Sequence, residues 1–215
     1  MLADAGVTII DFDRTVPDAQ FRPDADGIIP ITAERYFEDD IVTRLREFLA
    51  VAFGAEHVEA NVSWLEHALG LGKRKNLRDY FLNDFYGDHV QTYSKRPIYW
   101  QVSSPKGGFS GLFYLHRYTP ATLGLIHQDY AEELLGKLKA RLDTIEHALP
   151  SADRREATQL ARERDMLTAQ RREVRDWIDE ALFPLASAEI ALDLDDGVKQ
   201  NYPKLRGVVK KVTGL

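Results

Sequence analysis

Two long helical patterns fill residues 119–182 and constrain the fold more than any other feature. Thr119 and Pro120 have the residue types of an N-cap and a first helical position. The apolar stripe of the first pattern is Ile126, Tyr130, Leu134, Leu138, Leu142, Ile145 and Leu149. After the turn PSADRRE, the second pattern keeps only the thin seam Leu160, Leu167, Val174, Ile178 and Leu182. Because 15 of the 30 residues from 151 to 180 are charged, the seam alone can be buried, which predicts an antiparallel helical hairpin.

Shorter elements precede the hairpin. The strand candidates are VTIIDF at 7–12, IIPI at 28–31, IYWQVSS at 98–104 and FSGLFYLHRY at 109–118. Helical spacing and glycine stops predict three helices, from Asp39 or Asp40 to Gly54, from Val58 to Gly70, and from Asn76 to Gly87. We therefore predict a helix-rich α+β fold, with a small antiparallel β-hairpin or sheet, packed helices and a long antiparallel helical hairpin. The expected divisions are 1–118, 119–183, and a segment 184–215 that packs back on the first region.

The composition excludes several classes of protein. The chain has no cysteine, so it can form neither disulfides nor thiolate metal sites. Its apolar runs fall short of the roughly 18 residues of a membrane span. The N-terminus MLADAGVTIIDFDR lacks the basic region and the long apolar run of a signal peptide. We predict a cytoplasmic protein with no membrane partner.

The net charge of −6 conceals one basic window. Residues 1–72 carry 5 Lys or Arg and 14 Asp or Glu, a balance of −9, whereas residues 73–118 carry 8 and 3, a balance of +5. The basic residues of this window, all candidates for contacting phosphates, are Lys73, Arg74, Lys75, Arg78, Lys95, Arg96, Lys106 and Arg117. Tyr93, Tyr99 and Trp100 lie among them and are candidates for stacking on bases. The alternative is that the charges fringe a β-hairpin whose core contains these aromatic residues.

An acidic strand end raises a different possibility. In VTIIDFDRTV, Asp11 and Asp13 resemble the nucleophile and the acid/base of the haloacid-dehalogenase phosphatases, which use magnesium. That family usually has glycine where this chain has Arg14, and its fold alternates strands with helices. The six histidines and LDLDDG at 192–197 lack the spacing of a metal site. We therefore expect no metal, and a buried strand followed by an acidic loop is the better interpretation of residues 7–16.

Four phrases, read in order, resemble the C-terminal region of large adenine-specific DNA methyltransferases. They are DGIIPITAERYFEDDIVTRLREFL, NLRDYFLNDFYGDH, YSKRPIYWQVSSPKGGFSGLFYLHRYTPATL and EIALDLDDGVKQNYPKL. The nearest type is the PglX type of the phage-exclusion (BREX) and phage-growth-limitation systems, which is related in layout to type IIG restriction-modification enzymes. The resemblance begins at about Phe21 and continues to the C-terminus.

The resemblance implies methyl transfer to adenine N6 for full-length members, with S-adenosylmethionine as their cofactor. Their catalytic module contains a glycine-bearing cofactor motif and an Asn/Asp-Pro-Pro-aromatic motif that holds the flipped base. Neither motif occurs in this chain, which has no Pro-Pro pair. We therefore expect no catalytic residue and no cofactor here.

The family resemblance and the basic window together predict a DNA-recognition or scaffold part of a phage-defence methyltransferase. Its expected partners are double-stranded DNA and the methyltransferase catalytic domain or other defence-system subunits. A protein-interaction module is the alternative. In that case the two long helices dock on a methyltransferase or another defence subunit, and the acidic N-terminal third repels DNA.

Overall fold

A computed structural model of the chain describes residues 21, 22 and 25–211, apart from the Arg74 side chain. Its strands are β1 Ile28–Pro30, β2 Tyr99–Ser103 and β3 Ser110–Tyr114. The helices before β2 are α1 Ile41–Phe53, α2 Val58–Ala68, α3 Leu77–Asn83 and α4 Phe85–Thr92. Those after β3 are α5 Thr122–Leu125, α6 Glu132–Ala148, α7 Arg154–Trp177, α8 Phe183–Ser187 and α9 Gly197–Asn201. Asp11 and Asp13, on which the phosphatase alternative depends, lie outside the described residues.

The three strands form an antiparallel sheet in the order β1-β3-β2. Pairing of Phe113 with Ile28 and with Trp100 places these three residues on one face of the sheet. Leu112 and its partner Ile29 lie on the other face. Each face is covered by its own layer of helices, so the sheet separates two apolar cores.

The face containing Trp100 packs against the long-helix side, which we define as α5 to α8 with residues 202–209. Residues Ile126–Ala131 join α5 to α6 in π-helical geometry, and Ile178–Leu182 join α7 to α8 in the same way, so the hairpin has two continuous arms. The fully buried residues of this core include Phe109, Leu123, Leu134, Leu138, Ile145, Val174 and Leu182. Two bidentate pairs connect the arms: Arg175 with Glu132 at 2.7 and 2.9 Å, and Arg141 with Glu163 at 2.6 and 2.9 Å.

The opposite face packs against the short-helix side, which we define as α1 to α4. Its core contains Ile31, Ile41, Leu71, Leu77, Phe81, Tyr86, Val90 and Leu112. Helix α1 begins at Asp40, whose side chain accepts a hydrogen bond from Val42 N, and α3 begins with a capping box between Asn76 and Asp79. The Arg78 guanidinium donates to both carboxylate oxygens of the fully buried Asp40, at 2.6 and 2.7 Å. Short helices are marginal alone, so these polar contacts fix their arrangement.

The C-terminal residues extend the sheet beyond β2. Val209 forms an antiparallel bridge with Val102, and Lys210 N donates to the Gln101 carbonyl at 2.7 Å. The Trp177 indole N–H donates to the Gly207 carbonyl at 3.1 Å. Residues 207–210 are therefore held between the exposed edge of β2 and the long-helix side.

Tyr130 connects the loop before α1 to the long-helix side. Its hydroxyl oxygen lies 2.9 Å from Asp26 Oδ2 and 2.8 Å from Asp39 Oδ2. A hydroxyl has one proton to donate, so Tyr130 either shares it between the two carboxylates or accepts a proton from one of them. Burial raises the pKa of Asp39, which is the direction that favours its protonated form.

The helix-rich α+β prediction is confirmed, with a three-stranded antiparallel sheet and a long helical hairpin. Two predicted boundaries are wrong. Gly87 does not end a helix. Instead, Asp84 separates α3 from α4, and α4 continues through Gly87. Burial of Tyr86 and Val90 outweighs the modest free-energy cost of a glycine inside a helix. The helix expected at Thr119 begins at Thr122, whose hydroxyl accepts from Thr119 N. Across the described part of the chain, no helix combines the length and apolarity needed to cross a membrane.

Candidate nucleic-acid interface

The structure divides the basic window among three places. Lys106 lies in the turn between β2 and β3, whereas Arg117 follows the far end of β3. A strand advances about 3.3 Å per residue, so the length of β2 separates these two ends of the sheet by more than about 13 Å. Lys73, Lys75 and Arg78 belong to the short-helix side. The described side chains of the window therefore do not form one continuous basic surface, and the surroundings of each group differ.

The turn end of the sheet borders a groove of about 640 Å³, which we call the lysine groove. Its charged lining residues are Lys106, Lys210 and Lys211, and none of the lining residues that the structure describes is acidic. The remaining lining residues are Ala33, Leu82, Asn83, Ser103, Ser104, Pro105, Gly107, Ser110, Gly207 and Val209. Three ammonium groups beside hydroxyl and amide groups, without a competing acid in the lining, form a surface suited to an anion.

Helix α7 fixes the turn that carries Lys106. Glu173 accepts from the backbone N–H of Lys106 at 2.8 Å and from the Ser104 hydroxyl at 2.9 Å. Gln170 Nε2 donates to the Gly108 carbonyl at 2.7 Å. A Cβ atom at residue 108 would collide with Glu173 and lie 2.9 Å from Val174 Cγ2, so a larger residue here would displace the side chains of α7. The turn is thus held rigidly against the hairpin, with the Lys106 side chain exposed.

The second wall of the groove comes from the C-terminal residues. The hydrogen bond from Lys210 N to the Gln101 carbonyl fixes Lys210 beside β2. Burial lowers the pKa of Lys210, and the carboxylate of Asp84 opposes this effect. Asp84 also lies 3.5 Å from Lys75 Nζ, so Lys75 is near this side of the molecule and partly neutralised. Lys210 and Lys211 lie outside the predicted basic window, although the sequence is basic near the C-terminus.

The other end of the sheet carries a row of aromatic rings. Ring centroids are 4.8 Å apart for Tyr93 and His89, 5.8 Å for His89 and Tyr99, and 5.1 Å for Tyr99 and Tyr114. His89 Nε2 accepts a hydrogen bond from Tyr99 N at 3.1 Å, and burial lowers the pKa of this imidazole. The pKa of Tyr99 is raised by burial and by Tyr114, while nearby Arg117 lowers it. Tyr93, Tyr99 and Arg117 are therefore brought together.

Lys95 and Arg96 are exposed in the turn that follows α4. Lys95 has a φ of 65°, and its N–H donates to the Val90 carbonyl at 2.8 Å, which reverses the chain toward β2. Arg96 N donates to the Tyr93 carbonyl at 2.9 Å, so this basic turn adjoins the row of rings.

Two predicted site residues have structural roles instead. Trp100 has no exposed surface and faces the long-helix core, so it cannot stack on a nucleic acid in this structure. The Arg78 guanidinium is occupied by Asp40 and by the Thr32 carbonyl, the latter at 2.8 Å. Lys73 and Lys75 are exposed, and Arg74 has no described side chain. Among the described residues, no group of three His, Asp or Glu side chains could hold a metal ion.

Comparison with known proteins gives two strong relatives, whereas no family model matches the chain. "Adenine-specific methyltransferase BrxX" of Escherichia coli O9:H4 (strain HS) is 39% identical over 207 residues, covering 90% of this chain. "Adenine-specific methyltransferase PglX" of Lacticaseibacillus casei (strain Zhang) is 35% identical over 204 residues, covering 91% of this chain. The chain spans only 17% of the length of either relative. The predicted resemblance is confirmed: this chain is homologous to a segment of the BrxX- and PglX-type adenine-specific methyltransferases of BREX systems.

Proposed function

We propose that this chain is a DNA-recognition or scaffold part of a BREX-type adenine-N6 DNA methyltransferase, corresponding to its C-terminal region and without chemistry of its own. The observation that supports this most is the lysine groove, where Lys106, Lys210 and Lys211 line one groove and none of the described lining residues is acidic. Double-stranded DNA presents a regular series of phosphate charges, and lysines that neutralise them release condensed counterions.

The groove suits phosphate contacts better than base readout. Lysine ammonium groups act as flexible point charges, and they neutralise a phosphate without the fork geometry by which arginine reads guanine. Ser103 and Ser110, whose hydroxyl oxygens are 3.0 Å apart, supply further polar groups in the lining. Contacts of this kind fix the position and orientation of a protein on the duplex. On this proposal the groove positions the chain, and sequence is read elsewhere.

The architecture supports the absence of methyl transfer in this part of the protein. Dinucleotide-type cofactors bind in α/β folds at the carboxyl ends of parallel strands, next to a glycine-rich turn. The described residues form a small sheet whose strand pairs are all antiparallel. We therefore assign no step of the reaction to this chain.

DNA binding by a groove variant tests the proposal. We expect the Lys106→Gln, Lys210→Gln, Lys211→Gln variant to bind a fluorescein-labelled duplex roughly ten- to a hundredfold more weakly in low salt, measured by anisotropy. The matched control replaces Lys139, Lys199 and Lys204 with glutamine. These lysines are exposed and do not line the groove, so the control should retain most of the affinity for the duplex. Equal weakening by both variants, or no duplex binding by the wild type, contradicts the proposal.

A second candidate function, docking of the helical hairpin on another protein, is supported by one exposed residue. Met166 on α7 is 68% exposed, an unusual position for a methionine on a helix so rich in charge. Arg155 and Arg162 precede Met166 on α7 and line a shallow groove near the start of that helix. An acidic surface of the methyltransferase would complement it. Met166→Glu should then abolish co-purification with the catalytic part while leaving duplex binding intact, and unchanged co-purification argues against docking.

A further inference from the structure

We propose that a pocket at the aromatic end of the sheet binds a single nucleobase, with the attached phosphate held by arginine. This inference rests on the proposed function and deepens it, because it adds a site for an unstacked nucleotide at the end of the sheet opposite the lysine groove. The aromatic pocket has a volume of about 210 Å³. It is lined by Phe21, Gly27, Ile29, Arg44, Tyr99, Tyr114 and Arg117.

The size and walls of the aromatic pocket match one planar ring system. Pockets for drug-sized ligands usually measure about 300–1,000 Å³, so this smaller pocket suits a single base. Three of its lining residues have aromatic rings, and Ile29 adds an aliphatic surface. Tyr99 and Tyr114 pack at 5.1 Å with an interplanar angle of 39°, so their exposed ring surfaces present a continuous wall. Unstacked bases are bound by aromatic and apolar side chains of this kind.

The arginines favour a nucleotide over an uncharged aromatic ligand. Arg44 and Arg117 both line the pocket. The Arg44 guanidinium carbon lies 4.8 Å from the centre of the Phe21 ring, so it continues the aromatic wall with a positive charge. Arg44 also contacts Glu47 and the Arg22 carbonyl, which hold its side chain in this orientation. A base against the tyrosines would therefore bring its phosphate close to an oriented guanidinium group.

Gly27 shapes the entrance of the pocket on the Arg117 side. A Cβ atom at residue 27 would lie 3.3 Å from Arg117 Cδ, and the φ of Gly27 is +73°, a conformation that favours glycine. Gly27 also accepts a hydrogen bond from Tyr114 N at 2.9 Å, which ties it to β3. Because Gly27 has no side chain, Arg117 can pack against its backbone, next to Tyr114. The pocket is thus lined by residues of β1, β2, β3 and α1, together with Phe21, Gly27 and Arg117.

Both signs of charge occur near the aromatic pocket, and Glu47 forms an ion pair with Arg44. Lys95 and Arg96 lie in the turn next to Tyr93, at the other end of the row of rings that includes Tyr99. Asp26 precedes Gly27, but its carboxylate accepts from Ile28 N at 2.8 Å and contacts the Tyr130 hydroxyl. Its negative charge is thereby engaged within the protein. An anionic ligand would meet arginine first.

Ligand-observed NMR with the full chain tests the aromatic pocket. Saturation-transfer difference spectra should show transfer from the protein to the base protons of dAMP. The Kd of dAMP should rise about tenfold in Tyr114→Leu, because the base loses a ring on which it stacks. Arg44→Gln should weaken dAMP but leave the weaker binding of deoxyadenosine, which lacks the phosphate, nearly unchanged. Circular dichroism and thermal unfolding confirm that each variant is folded.

Tyr93→Leu is the matched control, because Tyr93 lies in the same row of rings but does not line the pocket. It should bind dAMP like the wild type. Unchanged dAMP binding by Tyr114→Leu, or an equal loss in Tyr93→Leu, overturns the assignment. Binding of N-acetyl-tyrosine amide as tight as that of dAMP would instead assign the pocket to an aromatic side chain of a partner. If the chain binds duplex DNA but not dAMP, only the assignment of the aromatic pocket is contradicted. If it binds dAMP but not duplex DNA, the proposed function is contradicted instead.

Discussion

The two sides of the sheet are stabilised in different ways. The long-helix side buries a continuous apolar core between two continuous helical arms, and its interhelical ion pairs lie at the surface. The short-helix side has four shorter helices, a smaller apolar core and a buried ion pair between Arg78 and Asp40. Long amphipathic helices gain enough from apolar burial to pack without polar guidance, whereas short ones depend on specific polar contacts. The candidate functional groups lie at the margins of the short-helix side and at the two ends of the sheet.

The largest expected difference concerns one arginine on each side. Arg78→Ala leaves the carboxylate of Asp40 buried without its partner, which should lower the free energy of unfolding by about 3–5 kcal/mol. Arg141→Ala removes a bidentate but solvent-exposed ion pair with Glu163. This substitution should change the free energy of unfolding by less than about 1 kcal/mol. Urea denaturation of both variants measures the two values. Similar losses would mean that the polar contacts of the two sides are equivalent.

A smaller effect is expected where the turn of the lysine groove meets α7. Gly108→Ala introduces a Cβ that collides with Glu173 and should lower the free energy of unfolding by about 1–3 kcal/mol. Gly136→Ala is the matched control, because its Cβ would meet nothing within 4 Å, and alanine favours a helix interior by about 1 kcal/mol. The two substitutions should therefore have opposite signs in chemical denaturation. Stabilisation by both would show that the turn can move away from α7.

The pH dependence of stability should distinguish the short-helix side through His89. Its pKa in the folded protein lies below the usual value of 6.5, because the imidazole is buried. Its contribution to stability is complete above about pH 6.5 and is lost as the pH falls through the lowered pKa, since the unfolded chain binds the proton more readily. Thermal unfolding at pH 7.5 and 5.5 should show a smaller decrease for His89→Gln than for the wild type. His57→Gln, on the surface, controls for the loss of one imidazole.

Asp39, beside the long-helix side, should make a smaller contribution to the pH dependence of stability, with the opposite sign to that of His89. Burial raises its pKa above the usual 3.8, so its favourable contribution is present at low pH and is lost as the pH rises through the raised value. Asp39→Asn should therefore be slightly more stable than the wild type at pH 7, while the two should differ less near pH 4. Thermal unfolding at both pH values measures this. A less stable variant at pH 7 would show that the ionised carboxylate is required beside Tyr130.

The sequence predicted elements with strong local patterns. The seams of the hairpin, the caps at Asp40 and Asn76, and the strands around the Pro105–Gly108 turn are encoded by neighbouring residues and are present in the structure. Gly87 misled the prediction because a glycine in a helix has only a modest local effect, which tertiary burial overcame. The π-helical segments in both arms were not predicted, since the spacing of apolar residues does not specify them.

The sites depended on contacts that local patterns do not contain. Lys106 and Lys210 are about 100 residues apart in sequence, and the bridge between Val102 and Val209 brings them together. The aromatic pocket combines Phe21 and Arg44 with residues of β2 and β3 in the same way. Conversely, Trp100 and Arg78 satisfied the compositional criteria for DNA contact, yet one is buried and the other is paired with Asp40. The fold therefore decides which residues of the basic window remain candidates for contact with DNA.

Salt dependence of duplex binding tests the central proposal most directly. For a lysine groove that neutralises phosphates, the plot of log K against log salt concentration should be steep in the wild type. The magnitude of its slope should fall by about 2 to 3 in the Lys106→Gln, Lys210→Gln, Lys211→Gln variant, because each phosphate contact contributes about 0.9 to the slope. The control replacing Lys139, Lys199 and Lys204 should keep the wild-type slope. An unchanged slope in the groove variant would contradict a role for the lysine groove in binding DNA.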